Sequence, residues 1–80
     1  IAVANGTPYG LAAAVFTSRQ DLVQKFVAGI ESGMVHINHG TASQAHVPFG
    51  GRKSSGYGAF SIGPTARDFY SKLKVVYVKW

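Results

Sequence analysis

Leu11-Ala12-Ala13-Ala14-Val15-Phe16-Thr17 is a continuous apolar run bounded by Gly10 and Ser18, and Met34-Val35-His36-Ile37-Asn38 is a second that begins directly after Gly33. Short apolar runs between turn residues have the pattern of strands covered on both faces. Between them Leu22, Val23, Phe26, Val27 and Ile30 recur at helical intervals. Thr17 with Gln20, or Ser18 with Asp21, has capping-box spacing, and Gly33 suits the position that closes a helix. The pattern predicts a helix from about Arg19 to Ser32. Strand, helix and strand joined this tightly make the two strands parallel neighbours with a right-handed crossover. The fold class is α/β, centred on one parallel strand-helix-strand unit.

Outward from this unit, Gly6-Thr7-Pro8-Tyr9-Gly10 is a turn cluster, and Ala2-Val3-Ala4-Asn5 before it has the character of a last helical turn capped by Asn5 or Gly6. On the other side, residues 39–63 show neither period and contain Gly40, Gly50, Gly51, Gly56, Gly58 and Gly63. A glycine-rich loop this long is uncommon in a compact domain unless it has a function. Pro64 suits a first helical position, and a helix to Leu73 would have Lys72 and Lys74 at its carboxyl end. Val75-Val76-Tyr77-Val78-Lys79-Trp80 is a β-rich terminal strand that must pair, within the fold or with a neighbouring subunit.

The chain has 80 residues, is 46% apolar and 14% charged, and contains no cysteine. So apolar a composition suits a segment of a larger core better than a small free-standing domain. Ile1 is an unusual first residue and Met34 the sole methionine, so the sequence is expected to continue before Ile1. Disulfides and thiolate metal sites are excluded. The longest apolar run, Leu11 to Phe16, is too short to span a bilayer. All of the net charge of +5 lies beyond Gly51, where Arg52, Lys53, Arg67, Lys72, Lys74 and Lys79 face only Asp68. A small basic nucleic-acid-binding module is the alternative this raises, but the cations are spread over a loop, a helix and a strand, so no nucleic-acid partner is expected.

Three chemical constellations fail on spacing. The glycines of Pro48-Phe49-Gly50-Gly51-Arg52-Lys53-Ser54-Ser55-Gly56-Tyr57-Gly58 match neither a Walker loop nor a dinucleotide fingerprint, so a wrapping, packed loop is expected. His36, His39 and His46 have no carboxylate or cysteine beside them to complete a metal site. Ser43, Ser54, Ser55 and Ser61 lie in no nucleophile elbow, and Asp21, Glu31 and Asp68 fall on predicted helices away from the loop.

The sequence resembles the aldehyde dehydrogenases in four ordered blocks: Ala4-Asn5 through Thr17, Glu31 to Asn38, Pro48 to Gly58, and a following helix with a terminal strand. The resemblance implies the end of a catalytic domain (1–73) plus an oligomerisation strand (74–80) of a cytoplasmic enzyme, inactive by itself. It implies oxidation of an aldehyde to a carboxylate with NAD or NADP, by a cysteine and a glutamate located elsewhere in the polypeptide, and a homodimer or homotetramer assembled through Val75 to Val78. No membrane partner is implied. Phe49 matches a phenylalanine lining the aldehyde tunnel, and Thr41, Ser43 and Gln44 fall in the loop that selects the substrate. The positions of Lys53 and Gly56 supply backbone carbonyls to a monovalent cation in some members. Ala59-Phe60-Ser61-Ile62-Gly63 replaces the usual Arg-Glu continuation, which points toward benzaldehyde-like or semialdehyde-like branches.

Overall fold

The computed structural model describes all 80 residues, Ile1 to Trp80. The expected central unit is present: β2 (Ala12–Val15), α2 (Gln20–Gly29) and β3 (Met34–Ile37), with the two strands parallel and Ala12 opposite Met34 through Val15 opposite Ile37. A one-turn helix α1 (Ala2–Asn5) precedes them. Strand β2 is half-buried with Ala14 exposed, so it is not covered on both faces as its apolar run suggested. Small alanine side chains reach too little of the neighbouring surface to close either face.

The amino end of α2 lies within a residue of the expected start, whereas the carboxyl end stops three residues short of Ser32. At the amino end Arg19 is the cap residue and makes no side-chain cap bond. Thr17 Oγ1 instead accepts from Arg19 N at 3.1 Å, and Arg19 forms an ion pair with Asp21 in the first turn. At the carboxyl end the helix stops at Gly29 with Ile30 extended, short of Ser32 and of the Gly33 cap. Asn5 ends it early: its Nδ2 donates to Gly29 O at 2.7 Å and its Oδ1 accepts from Glu31 N at 2.8 Å. One side-chain amide thus satisfies an orphan carbonyl of the last turn and the backbone amide that follows the cap residue Ile30. Phe26 and Ile30, 8% and 6% exposed, form the small apolar core, whereas Leu22 and Val27 on the same predicted face are exposed.

Gly33 has a different role from the one its position suggested. Its amide donates to Gly10 O, and a Cβ there would lie 2.2 Å from Gly50 O, so the long loop rests directly on the start of β3. Only a residue without a side chain permits backbones to approach this closely. The loop also holds an unanticipated strand: β4 (Arg52–Lys53) pairs antiparallel with β1 (Tyr9–Gly10), Tyr9 opposite Lys53. Two-residue strands carry no readable period, which is why the sequence concealed them.

The carboxyl end departs most. Gly63–Thr65 form a 3-10 turn leading into α3 (Ala66–Tyr70), which stops before Leu73. Ser71 is extended and its hydroxyl donates back to Arg67 O, so Lys72 and Lys74 lie beyond the helix end. Residues 71–80 are exposed throughout and form no strand, and the molecule is elongated, 63 × 25 × 20 Å. The predicted terminal strand therefore joins neither of the two-stranded sheets, β1 with β4 or β2 with β3.

Candidate substrate cavity

Strand β3 and the loop that leaves it create the site. Asn38, at φ 59°, turns the chain sharply after Ile37. Its Oδ1 accepts from Thr17 N at 2.8 Å and its amide donates to Val15 O at 2.8 Å, so it ties the ends of both parallel strands together. The partner of its side chain is 21 residues away. This junction fixes where residues 39–48 begin their excursion over β3.

Two adjoining hollows result, of about 400 and 140 Å³. The smaller is bordered by Thr41, Ser43 and Phe49 with Leu11 and Ala12 from β2 and its approach. The larger is bordered by Ser43 and Gln44 with Val47, Pro48 and Phe60. All four residues expected from sequence thus border this pair of hollows, with Ser43 common to both. Phe49 does not share the larger hollow with Gln44.

His36 also borders both hollows, with Met34 beside it on the strand, and His39 borders the larger. His36 is 9% exposed, and the two imidazoles meet edge to face at 5.0 Å. Sequence reasoning dismissed this pair together with His46 for lack of a metal-ligand partner. Strand alternation was the usable signal, since Met34 and His36 must share a face. His46 is exposed and contributes its backbone instead, against which Gly63 packs at φ 72°.

Phe49 is braced from the segment that departs from the family pattern. Ser61 N donates to Phe49 O at 3.0 Å and Ser61 Oγ to the same oxygen at 3.3 Å. The Phe60 ring lies over Gly50, where any Cβ would collide with it. Downstream, Ser54 N donates to Pro8 O and Ser55 Oγ accepts from Gly10 N.

Lys53 is the residue whose part is least visible in sequence. At φ 53° its side chain turns inward; Nζ donates to Asn5 O at 3.0 Å and Thr7 O at 3.1 Å and lies 2.7 Å from Glu31 Oε2. The ammonium acts through a hydrogen bond and its charge to hold the Glu31 carboxyl below its usual range, with a smaller contribution from Arg52. Three acceptors match the three donors of an ammonium. This cation is engaged within the fold, leaving the basic character of the second half to better-separated residues.

The geometry is that of one wall of a small-molecule site, apolar with a few polar groups. The family model described as "Aldehyde dehydrogenase family" matches residues 1–76. The chain belongs to the aldehyde dehydrogenase family. It is 50% identical over 58 residues to a succinate-semialdehyde dehydrogenase [NADP(+)] of Deinococcus radiodurans, covering 72% of this chain and 12% of that protein. Against retinaldehyde dehydrogenase 3 of Mus musculus the identity is 47% over 76 residues, covering 95% of this chain and 15% of the relative. The solved structure of PnpE from Pseudomonas sp. WBC-3 superposes with a TM-score of 0.81 at 34% identity, over 89% of this chain and 14% of that one. The chain therefore spans only a small part of the aldehyde dehydrogenases it matches, and its α/β fold is the corresponding part of theirs.

Proposed function

We propose that these residues shape the aldehyde side of the active site in an NAD(P)-dependent aldehyde dehydrogenase, oxidising an aldehyde and water to a carboxylate while NAD(P)+ takes up a hydride. The observation that carries this is the convergence of Thr41, Ser43 and Phe49 on one hollow and of Ser43 and Gln44 on the next. Phe49 supplies an apolar wall for the substrate's hydrocarbon part, and the hydroxyls and amide orient its polar groups. The nucleophilic cysteine, the glutamate that assists thioester hydrolysis and the nucleotide-binding domain belong to other parts of the polypeptide, and these 80 residues alone are inactive. The nicotinamide cofactor, NAD or NADP, supplies the hydride acceptor there.

The extended, apolar Val75 to Val78 suits β-addition to a neighbouring subunit, giving a homodimer or homotetramer. Their exposure, from 61% to 93%, supports that reading, since such a strand left uncovered would be an aggregation hazard. The backbone carbonyls of Lys53 and Gly56, both exposed residues, are candidates for monovalent-cation contact between subunits. Residues 1–73 would then be catalytic-domain structure, residues 74–80 the assembly strand, and the enzyme cytoplasmic.

The test is reduced-nicotinamide formation by the native polypeptide that carries these residues, assayed with semialdehyde, aromatic and aliphatic aldehydes. Aldehyde-dependent reduction of NAD+ or NADP+ is expected, and its absence with all three classes overturns the reading. Phe49→Ala is expected to raise the aldehyde KM by about tenfold or more, as loss of a buried aromatic contact does.

A further inference from the structure

The geometry points to the Glu31–Lys53 ion pair as a clasp that positions Phe49 in the substrate cavity, making both residues positioning residues for aldehyde binding. This rests on the functional reading above but concerns residues remote from the hollows, neither of which Lys53 or Glu31 borders.

Two chain segments lie against each other at two points. Gly33 receives Gly50 O at a separation only glycine allows, and Glu31 Oε2 meets Lys53 Nζ at 2.7 Å. Residues 31–33 and 50–53 are thus fastened at both ends, with Phe49 immediately before the second segment. The same ammonium holds Asn5 O and Thr7 O, while Asn5 caps α2 and binds Glu31 N. Gly10, paired with Arg52, has Glu31 O so close that a Cβ would lie 2.4 Å from it. The segments of Asn5 and Gly10 around Lys53 are themselves held against the carboxyl end of α2, which leads directly into β3 and the cavity. The Phe49 carbonyl accepts from Ser61 N and Oγ, and the Phe60 ring covers the adjacent Gly50. With the clasp open, residues 50–53 keep their pairing with β1 and their glycine packing but lose the side-chain tie to Glu31, and that slack lets the Phe49 ring shift out of register.

The ion pair is partly exposed, with side-chain exposures of 27% and 50%, so it adds little to global stability and its effect should be local. The experiment uses the native polypeptide with Glu31→Gln, Lys53→Met and the double variant, each measured for aldehyde KM, nucleotide KM and kcat. A rise in aldehyde KM of about three- to tenfold in each single variant, with kcat and nucleotide KM within about twofold, is expected. The double variant should be no worse than the worse single one, since both open the same clasp. An unchanged aldehyde KM, a loss confined to kcat or to the yield of folded enzyme, or additive effects would overturn the proposal. Glu31→Gln leaves all the carbonyl bonds to Lys53 intact and decides the matter if Lys53→Met does not fold. Amide hydrogen exchange of residues 49–58 separates this from the functional reading. If the unaltered polypeptide oxidises no aldehyde, faster exchange in Glu31→Gln still establishes the clasp, and unchanged exchange removes it.

Discussion

Asn5 shows how much of this fold depends on single side chains reaching across sequence. It caps α2 through Gly29 O, receives Glu31 N, and offers its own carbonyl to Lys53, joining three segments within one hydrogen-bonded group. Asn5→Ala removes two of those bonds and should lower stability by about 1–2 kcal/mol, measurable as a shift in the urea midpoint of the native polypeptide. Lys53 imposes a pH signature on Glu31. Because the Glu31 carboxyl is held below its ordinary value of 4.5 in the folded state, its stabilising contribution is complete above that value. It is lost as pH falls further, through the depressed folded pKa. The small difference in thermal midpoint between the unaltered protein and Glu31→Gln should therefore hold from neutral pH to about 4.5 and shrink below it. Residue types gave partial warning of these roles: an asparagine before a turn reads as a cap, though it caps a helix beginning far downstream of it. A lysine in a glycine loop reads as exposed charge, because only the folded backbone brings Asn5, Thr7 and Glu31 around it.

At the scale of elements, periodicity was a good guide where one continuous segment carried it. Strands β2 and β3 were legible as continuous apolar runs between turn residues and helix α2 by its helical period, and the parallel pairing followed from their short connections. The burial of Phe26 and Ile30 makes α2 the anchor of this unit. Phe26→Ala should cost about 3–4 kcal/mol through lost burial and a residual cavity, and should be visible in denaturant unfolding of the native polypeptide. Elements made by pairing remote short segments were not legible: β1 with β4 needs Tyr9–Gly10 and Arg52–Lys53 to meet, and neither dipeptide has a pattern of its own. Helix ends shifted likewise, because Asn5 terminates α2 before Gly33 and Ser71 terminates α3 before Lys72. The four candidate residues at the cavity were legible through their resemblance to family positions, whereas His36 and His39 were passed over as structural because they matched no metal pattern.

Across the whole molecule the main physical fact is unburied apolar surface. Val3, Tyr57, Leu73, Tyr77 and Trp80 are all at least 93% exposed, and only Phe26 and Ile30 among apolar side chains fall in the buried class. A surface of this kind is what a contact face presents, in keeping with a chain that spans 12–15% of its relatives' length. Deleting Val75 to Val78 from the native polypeptide should convert its assembly to a smaller species by light scattering; an unchanged mass would remove the assembly role of that strand. The sequence by itself determined the family, the parallel strand-helix-strand unit and which loop borders the hollows, because these reside in local apolar patterning and in ordered motifs. Only the tertiary structure decided that Gly50 stacks its backbone on Gly33, that Lys53 pairs with Glu31, and that the terminal segment joins neither sheet of these 80 residues. Each of those depends on which backbones approach one another in space, and no local pattern of side chains encodes that distance.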